Sequence, residues 1–417
     1  MHARAAGGRD GHGPPGQIRV RLLFVGERSA PRPRLGFRGE LRPARAGPPA
    51  VASAQPDGGG GRTVPLRGHL LPGEPLEEVR GDARPSRARR PERGAGTVAL
   101  SVSGVVPTPL ARARRQIWSV GGGKGGIGKS ILTASLGWQL ARMGKRVVLV
   151  DADLGGANLH TCLGLPNPEH TLGDFIQRRR DTIEEVLVDT GTPGLRLISG
   201  ASDFLGAANI KHAQKVRVLN RIKALDVDMV LLDLGAGTSF NIIDFFLISD
   251  LSVLTVVPEP TSIENGYRFI KSALYRRLRA AAPHEGVRQV IDDALDPRSP
   301  RGIRTPLDLL AHVERADPEA VTVLRREMAS FQPRFIVNQV RDTADIPIGH
   351  QLVAACARHL GIRTTYAGYV HYDDSIWQSV RRRRLFMVDA PMCRAAEEVR
   401  QLARGLLQGE SLSLPWV

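Results

Sequence analysis

From Gln116 onward the chain alternates short runs of consecutive apolar residues with longer stretches in which apolar positions recur every three or four residues. Runs of the first kind suit strands buried on both faces of a parallel sheet, and stretches of the second suit helices with one buried side. "QIWSVGG", "KRVVLVDAD", "LRLISG", "VDMVLLDLG", "LSVLTVVPEP", "RFIVNQV" and "TTYAGYV" read as strands. "KSILTASLGWQLARMG" sets Leu132, Leu136, Leu140 and Met143 along one helical side and stops at Gly144. Further helices are predicted near 208–224, 240–249, 262–280, 348–360 and 392–408. This alternation predicts an α/β fold, a doubly wound and mostly parallel sheet with right-handed crossovers.

Two regions break the rhythm. Residues 277–330 have helical periodicity interrupted by prolines, with balanced charge, and predict a helical insertion that covers the sheet edge. Residues 1–114 are rich in Gly, Pro, Arg and Ala, as in "PRPRLGFRGELRPARAGPP", and bury too little apolar surface to offset chain entropy. A disordered basic extension is therefore predicted there, an α/β domain over 115–410, and a tail over 411–417. Residues 1–115 hold 21 arginines, 9 acids and no lysine, and after Met1 the next methionine is Met143. Two readings of that segment stand: a basic tail that touches an acidic partner, or an over-long start with the true one near Val98. The second is preferred.

Composition then narrows the function classes. The 417 residues carry a net charge of +16, but +12 of it lies in residues 1–115, so the basic balance is a poor argument for nucleic-acid binding by the domain. Cys162, Cys356 and Cys393 form no CxxC pair, which excludes a disulfide framework and a paired-cysteine metal site; buried thiols in a reduced cytoplasm are the expectation. No apolar run approaches the roughly 18–20 residues of a membrane span.

The chemistry centres on Gly123–Ser130, "GKGGIGKS", which satisfies GxxxxGK[ST] between a predicted strand and a predicted helix. Gly123, Gly125, Gly126, Ile127 and Gly128 would offer backbone N–H groups to phosphate oxygens at a helix N-terminus. Lys129 would neutralise the β- and γ-phosphates, and the Ser130 hydroxyl would ligate Mg²⁺. Only seven lysines occur in the chain, and two of them, Lys124 and Lys129, sit in this loop. Asp151 and Asp153 end one strand and Asp233 another, at the sheet edge where nucleotide sites form. Singly, such an aspartate is often a helix cap; three beside a phosphate loop point to a metal-assisted site.

"KGGIGKS", "DADLGGANL", "LLDLGAG" and "VVPEPTSIENGY" together resemble the MinD/ParA superfamily of deviant Walker A P-loop ATPases. The resemblance covers about 116–275 and resumes at 333–408. "DADLGGANLH" and "PEPTS" are similar to the MinD and flagellar-number-regulator (FlhG/FleN) branch. The ParA branch typically has Pro-Gln after the second aspartate. The resemblance implies that Lys124 is the signature lysine, reaching across a nucleotide-sandwich dimer, and that Asp153 positions or activates the attacking water. Asp151 and Asp233 would support the Mg²⁺ shell, Asn338 would read adenine, and Pro258 and Glu259 would lie near the base. Ile131 stands where a threonine is common, losing a hydroxyl but keeping its N–H, and Gly156 replaces a larger residue in the first switch.

The function implied is an ATP-dependent dimerisation switch in spatial organisation, at a flagellum, division site or chromosome, with ATP and Mg²⁺ as cofactors. Its partners would be a second copy and a protein activator or landmark, in a cytoplasmic protein recruited to membrane or pole. A DNA-binding partition ATPase is the alternative, supported by Arg381–Arg384, a run otherwise read as a solvated face. An iron–sulfur carrier of the Mrp/Nbp35 type needs the missing cysteine pair. The last helix carries the stripe Met392, Ala395, Val399, Leu402 and Leu406, and its Glu397 and Glu398 favour packing on the domain over a membrane anchor. His371 and Tyr372 read as structural.

Overall fold

The computed structural model describes residues 115–200, 210–296 and 302–412; the predicted extension and most of the predicted tail lie outside them. Eight strands form one sheet: β1 Gln116–Gly122, β2 Val147–Asp151, β3 Leu187–Asp189, β4 Leu195–Ile198, β5 Met229–Ala236, β6 Leu251–Val256, β7 Arg334–Val340 and β8 Thr365–His371. Their order is β3-β4-β2-β5-β1-β6-β7-β8. Every pairing is parallel except that of β3 with β4. The short strand β3 was not predicted; three residues are too few to show a period.

Thirteen helices are described. In chain order, α1 is Lys129–Arg142, α2 Leu159–Cys162, α3 Leu172–Ile176, α4 His212–Ile222, α5 Phe240–Leu247, α6 Pro260–Ala281 and α7 Glu285–Leu295. Then come α8 Pro306–Ala316, α9 Pro318–Ser330, α10 Ile348–Leu360, α11 Asp374–Arg381, α12 Phe386–Asp389 and α13 Arg394–Gln408. Alternate residues of the strands face opposite cores. Trp118, Val120, Leu149, Leu231, Val253 and Ile336 pack under α1 and α13. Ile117, Val148, Val150, Val230, Leu254 and Phe335 pack under α5, α6 and α10. Burial on both faces explains why the strands are apolar throughout.

The described part of the region 277–330 is helical as predicted. Its helices α7 and α9 pack on α6, and α8 packs on α10, adding an outer layer over one face. Two of the prolines read as interruptions start helices: Pro306 and Pro318 stand in the first turns of α8 and α9, each behind a capping Thr305 or Asp317. In α13 the residues Ala395, Val399, Leu402 and Leu406 are buried, whereas Met392 precedes the helix and is 91% exposed. Of the three cysteines only Cys356 is fully buried; all three are free. The arginines 381–384 are exposed, with Arg382 and Arg384 paired to Asp389.

Candidate active site

Strand β1 delivers the chain into the glycine loop at the carboxyl edge of the sheet. Gly128 closes the loop with a left-handed φ of 85° and forms the N-terminal boundary of α1. A Cβ there would stand 2.5 Å from Asn338 Nδ2, so a larger residue would have to displace that amide and hold a backbone conformation that favours glycine. Asn338 in turn donates to the Ile127 carbonyl at 2.8 Å, and Gln339 donates to that of Gly126 at 3.4 Å. The end of β7 thus fixes the loop from outside.

Lys129, the first residue of α1, is 8% exposed, and its ammonium donates to the Lys124 carbonyl at 3.4 Å. Burial lowers its pKa, and the charges of Asp233 and Asp153 oppose that shift. Phosphate oxygens are stronger acceptors for this ammonium than a single carbonyl. Lys124 itself points away from its own loop. Its ammonium reaches Glu259 Oε2 at 2.7 Å and Thr261 Oγ1 at 3.4 Å, at the start of α6.

Two of the three aspartates converge through strand register. Asp233 of β5 is opposite Asp151 of β2, so the two side chains share a face on neighbouring strands. Both are buried. Asp151 accepts from the backbone N–H groups of Asp153 at 3.1 Å and Leu159 at 3.0 Å. Asp233 accepts from Thr133 at 3.2 Å, and the Ser130 hydroxyl also bonds to it. Asp153 lies over Gly235, where a Cβ would stand 3.0 Å from its Oδ1. Burial foremost raises the pKa of Asp151 and of Asp233, and the charge of Asp233 adds to the shift of Asp151.

Two buried, partly compensated carboxylates beside a hydroxyl suit a hard divalent cation. Among the described residues no three His, Cys, Asp or Glu converge into a self-sufficient metal cage. Mg²⁺ needs none: it takes one or two carboxylates and completes its shell with water and phosphate oxygens. The arrangement therefore fits Mg²⁺ bound together with a phosphorylated ligand.

A stability prediction follows from the raised pKa values. Each carboxyl titrates higher in the fold than in the unfolded chain, so its ionisation disfavours the folded state. That cost is absent below the ordinary carboxylate range, grows as pH rises toward the folded value and is complete above it. Asp233→Asn is expected to raise the melting temperature of metal-free protein by about 2–4 °C at pH 8. The gain should shrink toward pH 4 in scanning fluorimetry.

Beside the loop lies a pocket of about 220 Å³, walled by Gly128, Ile131, Asn338, Tyr372 and Trp377 among others. Pro258 and Glu259 are not among its lining residues, and Glu259 stands instead by Lys124. His371 and Tyr372 do line it, although their sequence context gave no sign of this. His371 is pinned from behind by Glu398, whose carboxylate bonds to its ring Nδ1 at 2.6 Å and its backbone N–H at 2.8 Å. Thr133 was also missed; its place one helical turn after Ser130 was the available signal.

A phosphate loop with two lysines and three strand-end aspartates is thus assembled at one sheet edge. Residues 118–386 match the model of the CobQ/CobB/MinD/ParA nucleotide-binding domain. The chain belongs to that family.

Its relatives within the MinD/ParA group include an antiactivator and site-determining proteins. The chain is 35% identical over 159 residues to the antiactivator FleN of Pseudomonas aeruginosa, covering 37% of this chain and 55% of FleN. It is 28% identical over 234 residues to the septum site-determining protein MinD of Helicobacter pylori, covering 56% and 78%. It is 30% identical over 154 residues to the flagellum site-determining protein YlxH of Helicobacter pylori, covering 36% and 50%. The chain thus spans about half the length of FleN and YlxH. The cell division ATPase MinD of Pyrococcus furiosus shares the fold, with a TM-score of 0.50 at 20% identity, over 71% of this chain and 99% of that one. Among the described residues, no helix of this MinD/ParA protein is long and apolar enough to cross a membrane.

Proposed function

We propose that this protein is an ATP hydrolase whose ATP-bound form pairs two copies, and that the pair marks a place in the cell. The observation that carries the reading is the division of labour between the two loop lysines. Lys129 is buried among its own carboxylates, whereas Lys124 of the same loop is partly exposed and turned to Glu259 at the start of α6. Its cofactors are ATP and Mg²⁺, and its domain spans 115–410 with 277–330 as a helical addition. Ser130, Asp151 and Asp233 would hold Mg²⁺, whose chemistry when bound would be to neutralise phosphate charge. The loop N–H groups from Gly123 to Ile131 and the Lys129 ammonium orient the phosphates. Asp153 holds the attacking water, and the pocket at Asn338 takes the base. The chemistry is positioning and charge stabilisation.

Similarity to FleN, MinD and YlxH supports spatial placement as the output, with a protein activator or landmark as the partner. Lys124→Ala should abolish the ATP- and Mg²⁺-dependent dimer in gel filtration and any partner-stimulated turnover. Dimer and stimulation that survive the substitution would remove Lys124 from this role. The exposed arginines 381–384 favour a second reading, DNA binding of the ParA type. It requires ATP-dependent retention of nonspecific DNA that falls steeply with salt.

A further inference from the structure

We infer that α11, α12 and the turn after each of them form a docking surface for an anionic lipid bilayer. The surface lies beside the nucleotide pocket and does not depend on ATP being hydrolysed there.

Among the described residues ten large apolar side chains are exposed, and five of them fall between Tyr372 and Met392. Single exposed apolar residues are ordinary; a concentration of them marks a contact surface. Trp377 is 56% exposed, Val388 59% and Met392 91%. The fold gathers these residues around one set of arginines. Asp389 accepts from Ser379 of α11 at 2.9 Å and pairs with Arg382 at 3.2 Å and Arg384 at 3.7 Å, which seats Val388 beside the arginine turn. Arg381 lies over the Trp377 ring at 4.8 Å. The Cys393 thiol bonds to Asp373, the cap of α11, and so brings Met392 back to the start of that helix.

The mixture selects the partner. Arg381 to Arg384 and Arg394 are exposed, whereas the Asp389 side chain is only 7% exposed and already paired. Nucleic-acid phosphates would attract the arginines but gain little from valine and methionine beside them. A bilayer takes both: headgroup phosphates meet guanidinium groups, the indole sits at the interface, and apolar tips enter the acyl boundary. Met392 stands on a turn and projects, which suits a deformable medium. The last helix cannot serve instead, because its stripe of Ala395, Val399, Leu402 and Leu406 is buried.

The test is cosedimentation of the full-length protein with vesicles of phosphatidylcholine alone or with phosphatidylglycerol added. Residues 1–115 carry 21 arginines of their own, so the variants and not total binding decide. Val388→Ser with Met392→Ser should weaken partition into the anionic vesicles about ten-fold. Arg381→Gln with Arg383→Gln should weaken it about 5–25-fold, with little change on phosphatidylcholine. Lipids brominated on the acyl chains should quench tryptophan fluorescence in wild type and lose that effect in Trp377→Phe. Unchanged partition of the Val388, Met392 variant overturns the inference, as does quenching that persists without Trp377. If only the arginine pair matters and DNA displaces the vesicles, the surface is a general polyanion site and the bilayer assignment fails.

Discussion

Lys129→Ala is expected to reduce ATP turnover by about 10²–10³-fold, the loss found when one preorganised charge-stabilising donor is removed. Two effects combine. The phosphates lose their buried ammonium, and Asp233 and Asp153 lose a cation whose field they share. Mg²⁺-dependent nucleotide affinity should therefore fall together with turnover, which a fluorescent ATP analogue titrated at several Mg²⁺ concentrations will show. Lys129→Arg should fail as well. The side chain is 8% exposed in a loop fixed by Asn338, and a guanidinium fork has no room to replace a compact ammonium. Full turnover in either variant would place the phosphate site elsewhere.

Asp153→Asn separates chemistry from binding. Asp153 is half-buried beyond the end of β2, close over Gly235, and its backbone N–H is tied to Asp151. The isosteric amide keeps that backbone tie and the shape of the site but cannot accept a proton from water. Single-turnover hydrolysis should drop by about 10²–10⁴-fold. Nucleotide affinity should remain within a few-fold, so that the variant accumulates as an ATP-loaded dimer. Unchanged single-turnover rates would show that another group orients the water.

Much of this site could be read before any coordinates. The apolar strands, the glycine loop and the three aspartates lie in local sequence patterns whose physical reasons are local too: burial on both faces, backbone approach to phosphate, a carboxylate at a strand end. What escaped was set by contacts between distant segments. His371 and Tyr372 join the pocket because β8 lies beside β7, which nothing in "YVHYDD" reveals. Glu398 gave only a charge on a helix, and the structure makes it the anchor of His371 across 27 residues. Glu259 gave a position near the base, and the structure sets it against Lys124, 135 residues away in sequence. The helices of 277–330 were legible as helices, but their seat on α6 and α10 depended on which apolar sides met.

The pairing of Asp151 with Asp233 makes the sheet itself the ruler of the proposed metal site. The separation of those carboxylates is set by backbone hydrogen bonds between β2 and β5, not by any loop, and adjacent strands stand at a spacing of about 4.8 Å. Loops around the site can lengthen or change sequence without altering that dimension. A slip of one residue in β2, in contrast, would turn Asp151 toward the opposite core and dismantle the site at once. The apolar residues Val147 to Val150, locked into both cores, therefore hold the proposed site as well as the fold: they are what keeps the ruler from sliding.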